Sequence, residues 1–584
     1  MTDSLLRSLV KPSEDRRANH HHPERYKWVV LINTTLAVLM SMIDASIVLI
    51  ALPAIFRGIG MDPLLPSNTF FLLWMILGFM VVTAVLVVSF GRLGDMFGRV
   101  KMYNLGFVLF TAFSILLSIT WMHGTSAAIW LVVMRIFQGV GAAFLLANST
   151  AILTDAFPEH QRGMALGINQ IAAISGSFLG LVLGGVLAPI NWRWIFLVSV
   201  PVGILGTIWS YTQLHEVPFR KDTYVDWPGN ITFALGLIAI MVGVTYGIQP
   251  YGGHTMGWTS PFVLSMLFGG VIVLGVFCVI EARSPDPMFR LALFKIRAFT
   301  AGSISTLLSS IGRGGMLFIL IIWLQGVWLP LHGYDFASTP LWAGIAMLPL
   351  TCGFLIAGPL SGYLSDRFGS RPFTIGGMVG AAVTFALLQL LPVDFWYPAF
   401  GALLLANGLA VGVFAAPNRA GVMNALPKSH RGVGSGMNST FQNSGQVLSI
   451  GIFFTLMIVG LSSKLPSELY NGLVAHGISS SAAHHASSLP PVSTLFAAFL
   501  GYNPMQHILG AQTLAQLPLA TRALLLSHSY FPSLIANAFH HGLSIVLDFA
   551  MIVCLGAAGC SALRGGKFYY EDLELEHHDD PALR

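Results

Sequence analysis

The sequence predicts an all-α polytopic membrane protein of fourteen spans: two parallel six-helix bundles with two extra transmembrane helices between them. Three observations carry this prediction. Only 9% of the 584 residues are charged and 55% are hydrophobic, with a mean hydropathy of +0.73, whereas about a quarter of a globular chain is charged. Apolar runs of about 20 residues, the length that crosses about 30 Å of hydrocarbon, recur along the chain. Two motifs then repeat at nearly one spacing, which divides the chain into halves.

The runs begin near Trp28, Thr69, Tyr103, Ala127, Met164 and Arg193 in the first half. They begin near Trp227 and Pro261 in the extra pair, and near Ala301, Leu341, Phe373, Trp396, Gly436 and Gly542 in the second half. Lys and Arg in short loops are retained on the cytoplasmic side. With both termini cytoplasmic, about 24 of the 30 Lys and Arg fall inside, about 4 outside and two within spans; an odd number of spans would scramble that sorting.

The expected organisation is a cytoplasmic tail over 1–27, a six-helix bundle over 28–213 and a linker carrying the extra pair over 214–297. A second bundle follows over 298–563, including an extracellular loop over 462–539, and a cytoplasmic tail over 564–584 ends the chain. The loop has Ser, Pro and His tracts and apolar patches such as ALLLSHSYF, which read as a partly helical cap. The first apolar run is too long for a cleavable signal and is expected to remain as the first span.

Several classes of function are excluded or unsupported. The four cysteines, Cys278, Cys352, Cys554 and Cys560, fall in or at predicted spans, unlike the disulfide framework of a secreted domain. The net charge of +5 follows from the inside bias of Lys and Arg, so no nucleic-acid partner is expected. No phosphate-cradling loop of an ATPase is present. His20 to His22 and the pairs His484 with His485, His540 with His541 and His577 with His578 lack the cysteines or spaced carboxylates of a closed metal site, so no metal is expected. The ending EDLELEHHDD reads as a solvated acidic tail.

The repeat is direct. GRLGDMFG at Gly91 to Gly98 matches GYLSDRFG at Gly362 to Gly369 in Gly, Leu, Asp, Phe and Gly. The pattern P-x-x-x-R-G-x-x-x-G runs from Pro158 to Gly167 and again from Pro427 to Gly436. The two offsets along the chain are nearly equal, which indicates duplication. Parallel repeats of this kind put a substrate site at their interface near mid-membrane.

At these residues the chain resembles the major facilitator superfamily, and within it the fourteen-helix drug:proton antiporter branch, over nearly everything from Trp28 to about Lys567. IDASIVLIALP from Ile43 to Pro53 is similar to the branch's first-helix signature. GRLGDMFGRVK is similar to the superfamily's cytoplasmic signature, RIFQGVGAA carries the helix-four residues Arg135, Gln138 and Gly139, and WRWIFLVSVPVG from Trp192 to Gly203 is also family-like. The helix-five antiporter signature reads here as Gly167, Gly176, Gly180, Leu181 where the family usually has proline, Gly184 and Gly185. Small residues so spaced let helices approach and slide, and Leu181 removes a kink-forming element. The resemblance implies a major facilitator fold in the cell membrane, a cytoplasmic latch at Gly91, Asp95, Gly98, Arg99 and the repeat's Asp366, and no cofactor beyond a proton gradient. It also implies a monomer whose partners are a small-molecule substrate, protons and the bilayer.

Of the 25 acidic residues, Asp44 and Asp548 fall well inside spans, where an ionised carboxylate costs about 2.5 to 3.5 kcal/mol on insertion scales. Asp44 lies about midway along the first helix. Burial favours its neutral form and a nearby cation its charged form; a group held between the two can take up and release a proton. Arg135 is the candidate cation, since a guanidinium keeps its charge. The pair reads either as the proton-coupling device or as a static tie between helices one and four. Arg313, near the middle of helix nine, either faces the cavity and binds an anionic group or snorkels to an interface. Asn438, Gln442, Asn443 and Gln446 form an amide stripe on helix thirteen and Gln325 ends helix nine; these line a cavity or glue helices together.

The expected function is proton-coupled secondary active export of small amphipathic or drug-like compounds by alternating access, without enzymatic chemistry. The alternatives are export of a lipid, siderophore or other metabolite in the same cavity and, in another class, a non-transporting receptor or scaffold.

Overall fold

The computed structural model describes residues 23–565 apart from 63, 217–225, 255, 285–286, 288, 428–430 and 502. In hydrocarbon every backbone N–H and C=O must be satisfied within its own segment, which leaves the helix as the form an apolar run of this length can take. Among the described residues, 14 helices are long and apolar enough to span a membrane. The first bundle holds α1 (Arg25–Ile59), α2 (Ser67–Phe97), α3 (Arg99–Ser118), α4 (Gly124–Ala156), α5 (Met164–Ile190) and α6 (Trp194–Gln213). The extra pair is α7 (Trp227–Gly247) and α8 (Pro261–Arg283). The second bundle holds α9 (Arg297–Leu331), α10 (Thr339–Ser365), α11 (Ser370–Gln389), α12 (Tyr397–Asn424) and α13 (Val433–Ala475). Four short helices follow: α14 (Ser480–Ser487), α15 (Pro491–Phe499), α16 (Met505–Ala515) and α17 (Leu519–Leu525). The last span is α18 (Tyr530–Ala562).

Local chemistry sets the helix starts. Proline stands in the first turn of α7, α8, α10 and α12, where its missing N–H costs nothing. Asp226 caps α7 by accepting from Gly229 N at 2.9 Å. Gly98 (φ 108°) alone separates α2 from α3, and Gly369 (φ 85°) takes the same place before α11. Both turns need a positive φ that only glycine adopts cheaply, so the repeated motif is also a repeated backbone geometry.

The duplication extends to packing. In the first bundle α1 packs on α4, α5 and α6, α3 on α4 and α6, and α2 on α4. In the second, α9 packs on α12, α13 and α18, α11 on α12 and α18, and α10 on α12. α7 and α8 pack on each other, and α7 touches α2 of one half and α13 of the other.

α5 makes close helix approaches through a row of glycines. A Cβ on Gly176 would lie 2.7 Å from Leu39 O, on Gly180 2.0 Å from Ser46 Oγ, and on Gly184 2.2 Å from Ile50 Cγ2, all on α1. Gly185, one position round, meets α10 of the other bundle, its Cβ position 2.4 Å from Leu341 Cα. Leu181 O faces Gly344 of α10 at 3.1 Å from a Cβ there. The two bundles therefore touch on the membrane face opposite the 91–101 loop.

The loop expected over 462–539 is helical at both ends. α13 runs on to Ala475 and α18 begins at Tyr530 rather than near Gly542, which confines the connecting segment to 476–529. The extensions were not visible as apolar runs because only one face is apolar. Leu465, Leu469 and Leu473 on α13, and Phe531, Ile535 and Phe539 on α18, are buried at four-residue spacing, while Lys464 and Ser467 stay exposed and Glu468 is half-buried. α15 is buried along its whole length. It sits against α9, α13 and α2, with Phe499 edge-on to Phe318 (6.2 Å) and Phe496 stacked on Phe454 (5.1 Å).

The α1–α5 contact yields a direct test. Gly180→Leu must force the helices apart, and overpacking of this kind costs about 1–3 kcal/mol. Gly167→Leu, with nothing within 4 Å of its Cβ position, should leave the thermal midpoint of the detergent-solubilised protein unchanged. Equal midpoints for the two variants would show that the α1–α5 contact is loose.

Candidate functional site

The structure brings Asp44, Arg135 and Gln138 into one buried network at the centre of the first bundle. Asp44 on α1 and Arg135 on α4 are 0% and 1% exposed, and Gln138 is fully buried one turn beyond Arg135. Arg135 Nη1 donates to Asp44 Oδ2 and to Gln138 Oε1 at 2.6 Å. Gln138 Nε2 donates to Asp44 Oδ1 at 2.9 Å and to Ser114 Oγ on α3 at 2.7 Å. Arg135 Nε points to Met75 O on α2 at 3.3 Å, and its guanidinium carbon lies 4.3 Å from the centre of the Phe79 ring. Both carboxylate oxygens thus have donors, and the guanidinium has a carboxylate, an amide, a carbonyl and an aromatic face. Four helices meet at one charge pair.

Gly139, next to the network, lets α4 lie against α2: a Cβ there would be 2.8 Å from Phe79 O.

At the membrane face of the 91–101 loop, Arg99 holds Asp95 at 2.7 Å and Asp155, at the end of α4, at 2.5 Å. Glu216, just beyond α6, accepts from the backbone N–H of Val100 (3.4 Å) and Lys101 (3.3 Å). A carboxylate there meets the positive end of the α3 dipole. Gly94 leaves room for Asn148, whose Oδ1 would lie 1.9 Å from a Cβ at that position, and Gly91 faces Ala147. The side chain of Asp366 lies outside the described residues.

The remaining candidates separate. Gln325 sits in a π-helical turn, Leu324–Trp328, and its Nε2 reaches Ile50 O of α1 at 3.5 Å, across the two bundles, while its Oε1 has no partner among the described residues. π-turns are enriched at functional sites. Gln442 and Gln446 are half-buried, and neither makes a side-chain hydrogen bond among the described residues. Asn438 instead accepts from Thr306 at 2.9 Å and ties α13 to α9. Arg313 is half-buried with its guanidinium carbon 5.7 Å from the Phe354 ring centre. Asp548 accepts from Gln389 of α11 at 3.0 Å.

The Major Facilitator Superfamily family model matches residues 34–224 and 225–450, more than half of the chain. The chain belongs to the major facilitator superfamily. Among its relatives are the riboflavin transporter RibZ of Clostridioides difficile, 27% identical over 75% of this chain and 90% of that protein, and the multidrug resistance protein Stp of Mycobacterium tuberculosis, 29% identical over 76% of this chain and 78% of that protein. The methyl viologen resistance protein SmvA of Salmonella typhimurium is 29% identical over 80% of this chain and 90% of that protein. In fold the chain is similar to a bacterial homologue of the human lysosomal transporter Spinster, with a TM-score of 0.56 at 16% identity, covering 94% of this chain and 98% of that one. It is a transporter, not an enzyme, and a multi-pass protein of the plasma membrane.

Within this superfamily member, Asp155, Glu216 and Ser114 are polar partners that sequence reasoning missed. The first two stand at helix ends where a charge carries no burial cost, and Ser114 is one hydroxyl in an apolar run. Internal symmetry offers the missing signal. The offset that carries Pro158 to Pro427 also carries Gln138 to Asn407, and one position more carries Ser114 to Thr384. Asn407 Nδ2 donates to Thr384 Oγ1 at 2.7 Å, as Gln138 does to Ser114.

The central network sets the cost of breaking it. Arg135→Leu strands a buried carboxylate and should destabilise the purified protein by about 3–5 kcal/mol. Adding Asp44→Asn should recover most of that loss, because no unpaired charge remains. A double variant no more stable than Arg135→Leu would mean the charges do not interact energetically.

Proposed function

We propose that this transporter exports small amphipathic or drug-like compounds in exchange for protons, and that Asp44 carries the proton. The observation that carries the reading is the sealed network itself: one carboxylate, one guanidinium and one amide, satisfied chiefly by each other inside an apolar bundle. A proton on Asp44 cancels the charge that faces Arg135. The guanidinium then keeps Gln138 on its own helix and Met75 O and the Phe79 ring on α2, so one proton shifts the hold on α4 from α1 towards α2. α1 also carries the contact surface for the α5 glycines and touches Gln325 of the second bundle. Movement at Asp44 thereby reaches the interface of the halves.

On the positive-inside rule, the face bearing Arg92, Arg99 and Lys101 is cytoplasmic. The contacts of Gly185 with Leu341 and of Leu181 with Gly344 then belong to a closed outer face. The substrate enters from the cytoplasm or inner leaflet. The Asp95, Arg99 and Asp155 cluster acts as the latch that must open and close with the cycle. The relatives named for resistance to multiple drugs or to methyl viologen support drug-like substrates. The relative named as a riboflavin transporter supports a metabolite as the second reading.

Vesicles containing the purified protein provide the test. Efflux driven by an imposed pH gradient should fall at least tenfold in Asp44→Asn, while exchange of labelled for unlabelled substrate at equal pH persists. Undiminished gradient-driven efflux in that variant would remove Asp44 from the coupling step. Wild-type efflux indifferent to the gradient would remove proton coupling altogether.

A further inference from the structure

We propose that the second bundle carries an anion site at Arg313, approached past Arg419, and that the preferred substrates are amphipathic compounds bearing a carboxylate, sulfonate or phosphate. This rests on the transport reading and specifies the substrate class.

The offset between the halves, taken from Pro158 and Pro427, carries Asp44 to Arg313, so the duplicated fold puts Arg313 where the first bundle puts its buried carboxylate. The same offset applied to Arg135 lands on Leu404, which is buried. The second bundle therefore has a guanidinium at the equivalent depth and an apolar residue where the first has its ion partner. The polar bridge that braces Asp44 in the first half is closed on itself in the second, where Asn407 donates to Thr384. Among the described residues Arg313 has no carboxylate partner and no side-chain hydrogen bond. Its guanidinium lies over the face of Phe354 on α10.

Arg313 stands among other helices of its own bundle. The neighbouring Gly312 is against Cys554 of α18, Gly314 is against Gln446 of α13, and the guanidinium itself reaches Phe354 of α10, so helices enclose it on three sides. A guanidinium keeps its proton under all ordinary conditions. Left partly wet, with five donors unused, it is a receptor for a bidentate oxyanion. Phe354 offers an apolar wall to the rest of the ligand, and the half-buried Gln442 and Gln446 on α13 retain free amides.

Arg419 on α12 is exposed, and its Nη1 donates to Gln170 Oε1 on α5 of the other bundle at 3.0 Å. That partner is neutral, so this charge too is unanswered. The adjacent Asn418 donates to Thr306 Oγ1 at 2.8 Å, which fixes the level of Arg419 against α9. Thr306 precedes Arg313 by two helical turns, about 10 Å along the helix. Two cations thus mark successive depths from the 91–101 face towards mid-membrane. The carboxylates inside the spans do not offset them: Asp44 is sealed by Arg135 and Gln138, and Asp548 accepts from Gln389. A cationic compound entering here meets like charge, whereas an anion is drawn inwards.

Two probes with one fluorophore test this: N-dansyl-6-aminohexanoate, ending in a carboxylate, and dansylcadaverine, ending in an ammonium. With the purified full-length protein in detergent, the anion should bind at least tenfold tighter than the cation. Arg313→Gln should lose about tenfold in anion affinity and leave the cation unchanged or tighter, and Arg313→Lys should recover part of the loss. Displacement of the anionic probe by lysophosphatidylglycerol would assign the site to a lipid headgroup, and displacement by hexanesulfonate alone to a soluble anion; both uphold an anion site. Tighter binding of the cation by the wild type, or an anion affinity untouched in Arg313→Gln, overturns the proposal. Gradient-driven efflux of dansylcadaverine in the same vesicles would leave the transport reading standing in that event.

Discussion

A carboxylate and a guanidinium buried at the centre of a membrane bundle tolerate no missing partner, because each unsatisfied group there costs more than a packing contact can return. The first bundle is organised around that demand. Gln138 uses its amide in both senses, accepting from Arg135 and donating to Asp44, and Ser114 takes the second amide hydrogen. Met75 O and the Phe79 ring occupy the rest of the guanidinium. Gly139 brings α2 close enough to supply them. Four helices are thereby indexed to one another at a single depth.

The second bundle shows what the fold does without such a pair. It packs the same helices on one another, yet the aligned positions hold Arg313 and Leu404 rather than Asp44 and Arg135. Its counterpart of the α1–α5 glycine face also differs. Gly445 meets Leu307 O, Ser449 bonds both Ile311 O and Gly315 N, and Gly315 accommodates Phe453. Close helix contact has been kept while the residues that make it have changed. An ion pair is therefore not a requirement of the six-helix packing, and its presence in only one copy weighs against a purely structural tie.

The spans, the repeat and the central pair were legible because hydrocarbon imposes a strict test on each. A spanning helix needs an unbroken apolar run, the glycine turns at Gly98 and Gly369 need one residue type, and a charge in mid-span stands out against its neighbours. Where water or protein replaces lipid, the test relaxes and the signal fades. The upper turns of α13 and α18 bury only one face, so their hydropathy resembles a loop. α15 looks too short to span and does not; it is buried by other helices, a fact that a nine-residue segment alone cannot convey. Asp155 and Glu216 needed tertiary structure because helix ends bring together residues far apart in sequence.

The seat of α15 bears on how the face opposite the 91–101 turn would open. Its two ring contacts, Phe499 with Phe318 on α9 and Phe496 with Phe454 on α13, lie on the second bundle, and the backbone of Ala498 and Phe499 covers Gly326 in the π-turn of α9. Among the spans of the first bundle it packs on α2. Aromatic pairs and a backbone laid against a glycine resist sliding more than aliphatic contacts do, because their geometry is specific. On an alternating-access cycle, α15 would therefore travel with α9 and α13 and part from α2. The same displacement would separate Gly185 from Leu341 and draw Gln325 away from Ile50 O on α1, the helix that also carries Asp44. α15, the bundle contact and the charge pair would then respond to one relative motion, with α1 as their shared element.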